Sequence, residues 1–265
     1  RNGDKVTLDI GGGVSNLINV MEGKLDFGLT AATSFSQALK GEGKFKGRAE
    51  KAKKVRIAAV LYSNYLFWVV WADSNVTSYQ QLRGKRVNVM PQRFSFQALN
   101  RQMLRALGIE YKEFAKVNHL NFNDTVAQMK DKHIDAYLGP GEENYSPIVQ
   151  LHAHAPIRIL SFSKEDQKKM NVANPAAVPF TLDKKYYDQK RDVNTIQTFT
   201  TIVTNVDVPA ERVYKFTKLI YGNHGDFARA VKAMGRVKVS DGAANVGVPR
   251  HAGMDQYLKE KGIIK

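Results

Sequence analysis

The chain has 265 residues and carries 40 lysines and arginines against 25 aspartates and glutamates, a formal net charge of +15. With 43% hydrophobic and 25% charged residues it has enough apolar side chain to offset the entropy of ordering, so pervasive disorder is excluded. It has no cysteine, which excludes disulfides, thiolate metal sites and cysteine nucleophiles, and no apolar run approaches the ~18 residues of a membrane-spanning helix.

The length suits one large domain or two of about 100–150 residues. The first residues, Arg1-Asn2-Gly3-Asp4-Lys5, do not include an initiating Met, so a processed product with any targeting peptide upstream is expected. The basic balance invites a nucleic-acid reading. The charges are spread, however, with modest runs only at 44–56 and 184–191, and no zinc finger, basic zipper or basic–aromatic RNA signature accompanies them. The expectation is a solvated basic surface or attraction of small anions, not nucleic-acid binding.

In chain order the predicted elements alternate between strand and helix, the pattern of α/β architecture. Residues 5–10 alternate polar and apolar and meet Gly11-Gly12-Gly13, after which Val14, Leu17, Ile18 and Met21 repeat at helical spacing up to Gly23. Residues 25–30 predict a buried strand and 33–39 a helix. Two strands follow at 55–61 and 66–72, the second carrying Trp68 and Trp71. A short helix or turn at 80–85 leads to a strand at 86–90, then a loop at 91–94, with Ser95 as the predicted N-cap of a helix that bears Leu99, Met103, Leu104 and Leu107 and stops at Gly108. Helix is predicted again at 126–132, strand at 134–138 broken by Gly139-Pro140-Gly141, strand at 157–162, helix at 164–170, strand at 195–204, and helices at 211–221 and 253–261.

One unit occurs twice. Met21 to Leu29 reads as a helix end, a basic turn, an apolar residue, an Asp and a buried strand, and Met129 to Leu138 repeats this with one extra residue. Copies about 110 residues apart predict two similar lobes rather than a solenoid, whose periods are roughly 20–50 residues. Loops at the carboxyl ends of strands line the ligand crevice of open α/β sheets, so the exits at Thr30-Ala31-Ala32-Thr33 and Gly139-Pro140-Gly141 are expected to face each other across a cleft.

Four stretches stand in register along almost the whole chain: GGGVSNLINVMEGKLDFGLT (11–30), LRGKRVNV (82–89), DTVAQMKDKHIDAYL (124–138) and VPRHAGMDQYLKEKGI (248–263), the last with Pro249, His251, Gly253, Tyr257 and Gly262. This ordered set resembles the TAXI family, the substrate-receptor subunits of tripartite ATP-independent periplasmic (TRAP) transporters. The resemblance implies an α/β type II periplasmic-binding-protein fold, with two α/β lobes joined by two crossing segments and a ligand cleft between them. The crossings are read at the end of 66–72 with its linker and at 195–204, giving lobe 1 from 1–80 and 198–265 and lobe 2 from 81–197. Family members usually begin with a strand, a glycine-rich turn and a helix that touches the ligand. Nothing here corresponds, so the contacts that unit supplies are not among the candidates.

A receptor needs hydrogen-bond donors and a few charges converging on a cleft. Gly12, Gly13, Val14 and Ser15 open a helix whose free N–H groups suit a carboxylate, although the same residues also make a plain strand-to-helix turn. Thr30 and Thr33 offer hydroxyls at the first strand's exit, with helix capping by Thr33 or Ser34 as the competing role. Pro91 and Ser95 match the family's hydroxyl-rich loop. Arg93 departs from it, and a guanidinium there would take a carboxylate bidentately. Phe94 and Phe96 would pack on the ligand's hydrocarbon part or in the core. In the second copy Gly139, Glu142, Asn144 and Tyr145 are the candidates. Glu142 and Glu143 would take an amino group or, with some preference, cap the helix near Ser146-Pro147. Phe180 and Thr181 are weaker candidates.

His152 and His154 would share a face of a strand, but no third ligand follows at suitable spacing, and His251 reads as structural. No cofactor and no metal are expected, and catalysis has no visible machinery: Gly-x-Ser-x-Gly, His-Glu-x-x-His and Walker patterns do not occur. The expected function is a periplasmic, non-enzymatic receptor. It would close on a small organic anion (glutamate, glutamine, 2-oxoglutarate or a related C4–C5 dicarboxylate) and deliver it to membrane-embedded TRAP permease subunits without itself inserting into the membrane. The alternatives are a sensing domain of a regulator or histidine kinase and, less favoured for want of a cysteine, a hydroxymethylbilane-forming transferase on the same scaffold.

Overall fold

Two β-branched, aromatic-rich segments set the architecture by forming strands far longer than the usual five or six residues. In the computed structural model, which describes residues 12–92, 94–244 and 246–265, β2 (Val55–Trp71) runs for 17 residues and β8 (Val193–Asn205) for 13 beside it, antiparallel. At about 3.3 Å per residue β2 is roughly 55 Å long, enough to pass from one packed core into another. The predicted strand at 5–10, Gly11 and Arg93 lie outside the described residues.

The elements follow in order: α1 (Gly13–Met21), β1 (Phe27–Ala31), α2 (Ala32–Leu39), α3 (Ala49–Ala52), β2, β3 (Arg86–Asn88), α4 (Ser95–Ala106), β4 (Lys116–Asn118), α5 (Phe122–Lys130), β5 (Ala136–Gly141), α6 (Ser146–His154), β6 (Ile157–Ile159), α7 (Lys164–Ala173), β7 (Val178–Leu182), β8, α8 (Ala210–Gly222), α9 (His224–Phe227) and α10 (Ala252–Glu260). The strands form one mixed sheet, β1-β8-β2-β5-β3-β4, with β6 on β2 and β7 on β8. The two copies of the repeated unit take equivalent places. β1 lies antiparallel to β8, pairing Leu29 with Ile202, and β5 lies antiparallel to β2, pairing Leu138 with Trp68.

Packing changes along β2. Its first half, with Val55, Ile57 and Val60, joins Leu17, Phe35, Val203, Val213, Met254 and Leu258 in one apolar cluster. Its second half is covered on both faces, as strand alternation requires. Leu66, Trp68 and Val70 pack with Leu99, Met103, Met170 and Ile196, while Tyr65, Phe67 and Val69 pack with Val126, Met129, Ile148 and Leu151.

Several expectations are corrected. The two strands predicted at 55–61 and 66–72 are one, because register shifts between Ile57 and Ala59 and between Val60 and Ser63 absorb the polar residues 62–64 without a turn. Gly139-Pro140-Gly141 does not break β5. Pro140 pairs with Leu66, and the neighbouring β3 reaches only Ala136 and Tyr137, so the proline's missing N–H falls where β5 has a partner on one side only. Ser95 is the first residue of α4, whose N-cap is Phe94 in extended conformation. His152 and His154 lie on α6, not on a strand. β7 went unpredicted, since Val178-Pro179-Phe180 reads as loop until it is seen to pair with β8.

Candidate functional site

The first part of the site is built where α1 and β1 meet α4. Gly12 caps α1 in extended conformation, its N–H donating to Ser15 Oγ (2.9 Å) while that hydroxyl donates back to the Gly12 carbonyl (2.8 Å). Ser15 is thereby committed to the turn. Thr30, almost fully buried at the end of β1, donates its hydroxyl to the Gly13 carbonyl at 2.7 Å. A Cβ placed on Gly13 would stand 2.9 Å from Ser95 Oγ and 3.4 Å from Thr30 Oγ1, so glycine is what lets α4 approach. Gly13, Thr30 and Ser95 therefore converge, although α1 packs in the first apolar cluster and α4 in the second. Val14 turns into the first cluster. Thr33 is buried beside them, and its carbonyl accepts from Asn174 Nδ2 (3.1 Å). α2 is capped by the extended backbone of Ala31, not by Thr33 or Ser34.

The segment leading into α4 is held under backbone strain. Met90, fully buried, has φ 74°, the left-handed region that costs a non-glycine residue of order 1 kcal/mol or more and marks functional loops disproportionately. From there an aromatic wall runs to the second exit loop. Phe94 stands 5.9 Å from Phe122, which meets Tyr145 edge-on at 5.5 Å, and Phe96 packs against the two apolar clusters of β2's second half.

The second exit loop is pinned by tyrosines. Tyr187 donates its hydroxyl to the Glu142 carbonyl (2.6 Å) and accepts from the Tyr145 N–H (2.8 Å). Burial pushes the Tyr187 phenol up to about 12 and Tyr145 higher still, so both stay protonated donors at any physiological pH. Gly139 lies within β5, close against the Tyr137 ring, and Asn144 is exposed. Glu142 and Glu143 do not cap α6, whose N-cap is Tyr145 and whose first turn holds no acid. Glu142 is instead ion-paired with Arg236, whose guanidinium also lies over the Tyr62 ring. Phe180 stacks on Tyr65 at 4.4 Å, while Thr181 bonds Asn194.

Arg236 is the residue that reading the sequence missed. It lies in a short 3-10 turn (Lys232–Arg236) with no periodic signal, 94 positions from its partner, and only tertiary contact reveals it. The other missed group is a chain of amides along the α2–α4 seam. Gln102 Oε1 accepts from Gln37 Nε2 and Asn174 Nδ2, each at 2.9 Å, and Gln102 Nε2 donates to Glu42 (2.8 Å).

The converging groups are hydroxyls, amides, aromatic rings and one ion pair, a set suited to holding a small polar ligand. Two cavities, of about 460 Å³ beside Arg56 and His251 and about 840 Å³ beside Trp71 and Lys132, include none of the predicted site residues. His251 caps α10, accepting from the Gly253 N–H at 3.1 Å, and burial holds its pKa below the ordinary histidine value.

A family model described as the NMT1-like family matches residues 4–262. Among solved structures, a Xanthomonas citri protein bound to ATP is similar over 95% of this chain and 82% of its own, at 12% identity and TM-score 0.54. A putative periplasmic sulfonate-binding protein of an ABC transporter from Methylobacillus flagellatus is similar over 93% of this chain and 78% of its own, at 12% identity and TM-score 0.51. The periplasmic aliphatic sulphonate-binding protein of Escherichia coli matches at 14% identity and TM-score 0.43, covering 94% of this chain, which spans 66% of that one. At such identities the likeness establishes the fold: an α/β fold with a mixed, open sheet, as in periplasmic binding proteins.

Proposed function

This chain belongs to the NMT1-like family, and on that premise we propose that it is an extracytoplasmic solute receptor that closes two lobes around a small organic anion and delivers it to a membrane permease. The lobes are those of residues 1–80 with 198–265 and of 81–197, the second half of β2 packing against the second lobe and β8 crossing from one to the other. The observation that carries this reading is the meeting of α1 and α4: two helix N-termini, rooted in different apolar clusters, come together at Gly13 and Ser95. Helix N-termini offer free N–H groups and a positive dipole end, which suit a carboxylate, and the net charge of +15 adds a favourable field. A ligand touching both N-termini binds the closed arrangement better than the open one and so shifts the population toward it.

The finer reading is a TAXI-type receptor in the periplasm, serving a TRAP permease and taking glutamate, glutamine, 2-oxoglutarate or a similar C4–C5 dicarboxylate. It is supported by the in-register motifs, among them Pro249, His251, Gly253, Tyr257 and Gly262. A second reading, a sulfonate ligand and an ABC permease, is favoured by the Methylobacillus flagellatus neighbour. The test is calorimetric titration of the protein with L-glutamate, L-glutamine, 2-oxoglutarate, succinate and an alkanesulfonate, repeated on Arg93→Ala. Micromolar or tighter binding of a carboxylate with no response to the sulfonate supports the finer reading. Binding of the sulfonate alone transfers the protein to the second, and a tight hit unaffected by Arg93→Ala removes Arg93 as anchor.

A further inference from the structure

α2 is unusual in being buried on its polar side. Ala32, Phe35 and Ala38, three apart, face the first apolar cluster, while Thr33, Ser34 and Gln37 form the opposite stripe and are buried as well. That stripe faces α4 and α7, because Gln37 bonds Gln102 of α4 and the Thr33 carbonyl accepts from Asn174, the residue that ends α7. Ser34 stands one turn from Gln37 toward the α2 N-terminus. Along α4, Ser95 lies seven residues before Gln102, two turns back on the same stripe. Ser34 lies on the buried stripe of α2 that meets α4 and α7 at Gln37 and Thr33. It is 1% exposed, and its hydroxyl has no hydrogen-bond partner.

The sheet beneath presents a matching group. Ile196 of β8 packs with Leu66, Trp68 and Leu99, which fixes that face of β8 as the one under α4. Thr198, two residues on, shares the face and lies nearer the first cluster, where α2 packs on β8. It is 2% exposed, and its hydroxyl is also without a partner. Buried hydroxyls are nearly always hydrogen-bonded, and leaving one unmade costs about 1–3 kcal/mol. Among the described residues five buried side-chain atoms lack a hydrogen-bond partner, and those of Ser34 and Thr198 are the two hydroxyls, which lie on elements packed against each other, α2 and β8.

We infer that Ser34 and Thr198 form the floor of the ligand site, where both hydroxyls donate to an oxygen-rich head group, a carboxylate or another small oxyanion, that enters the α2–α4 seam. This rests on the receptor reading and deepens it by naming two contacts that hydropathy and motif leave invisible. The orphan hydroxyls are then the binding capacity left open in the ligand-free protein. Unlike structural hydroxyls, they are predicted to be dispensable for folding, since removing a buried group with no partner is neutral or stabilising.

The experiment uses Ser34→Ala and Thr198→Val, the second preserving shape, each measured twice. Ligand-free melting is followed by calorimetry, and affinity is titrated with L-glutamate, L-glutamine and 2-oxoglutarate as probes. The expected result is an unchanged or raised melting temperature together with about tenfold or greater weakening for whichever probe binds the wild type. Unchanged affinity in both variants overturns the assignment alone and leaves the hydroxyls to ordered water. Weaker binding with a lowered melting temperature also overturns it, because the hydroxyls would then be structural. A wild type that binds none of these probes, nor succinate or an alkanesulfonate, overturns the anion-receptor reading and this assignment with it.

Discussion

The two copies of the repeated unit share a backbone plan and differ in chemistry. β1 and β5 each follow a helix and a basic turn, and each pairs antiparallel with one of the two long strands. β1 then passes straight into α2, through a turn whose side chains are hydroxyls and alanines. β5 ends on glycines and runs into an acidic loop fixed by two buried tyrosines and an arginine from distant sequence. The two copies thus share a scaffold, and a few side chains at each strand exit give them different surfaces. The first exit carries hydroxyls and alanines and the second carries an ion pair, and both are held in part by bonds to distant sequence.

The sharpest contrast is steric. A Cβ at Gly141 would lie 1.9 Å from Phe67 Cδ2, and Phe67 is fully buried, whereas a Cβ at Gly28 meets Val20 Cγ2 at 3.0 Å. Gly141→Ala should cost about 3 kcal/mol or more in urea unfolding and Gly28→Ala only about 1 kcal/mol. Equal losses would mean that β5 relaxes around Phe67 as freely as β1 does around Val20.

Hydrogen bonding gives the next test. Tyr187→Phe removes two bonds and leaves the Tyr145 N–H and the Glu142 carbonyl only their long mutual contact of 3.4 Å, an expected loss of about 2 kcal/mol. Thr30→Val removes a single bond to the Gly13 carbonyl and should cost about 1 kcal/mol. Chemical denaturation of the two variants side by side measures the difference.

The conserved position of an aspartate before each strand allows a pH test. Asp135 accepts from Arg86 at both oxygens and from the Arg86 backbone N–H, and these bonds hold its carboxyl below the ordinary value. A depressed folded pKa contributes stability that is whole above the unfolded value of about 4 and is lost as pH falls through the folded one. Asp135→Asn should therefore destabilise by about 1 kcal/mol near neutrality, after allowance for solvent screening, and the gap to wild type should narrow as pH falls below the unfolded value of about 4. Asp26 makes one exposed pair with Arg212 at 2.9 Å, and Asp26→Asn should change stability by less than about 0.5 kcal/mol near neutrality. A gap for Asp135→Asn that stays constant down to about pH 3 would remove Arg86 as the cause.

A small, salt-sensitive effect is expected at the bridge between Glu142 and Arg236, whose side chains are 23% and 38% exposed. Arg236→Gln should lower stability by under about 1 kcal/mol, with the loss shrinking in high salt as expected of a partly solvated pair. A larger loss, insensitive to salt, would make this bridge a structural clasp and not an adjustable contact of the cleft.

The sequence by itself determined the type of elements such as α1, α4 and β8 and showed the repeated unit. The spacing of Leu17, Val20 and Met21, of Leu99 and Met103, and the β-branched run of β8 encode helix or strand locally, and local periodicity survives any tertiary context that buries the same face. It also brought Gly13, Thr30 and Ser95 to notice, because glycine and hydroxyl residues at strand exits and helix starts carry a local meaning. Tertiary structure alone decided that β2 is continuous, that Pro140 is tolerated inside β5, and that Glu142 turns to Arg236 and not to α6. It alone decided that the polar stripe of α2 is buried, leaving Ser34 and Thr198 without partners. The reason is physical: whether a hydroxyl or carboxylate is satisfied depends on groups 60 to 170 residues away, and neither hydropathy period nor turn chemistry reaches that far.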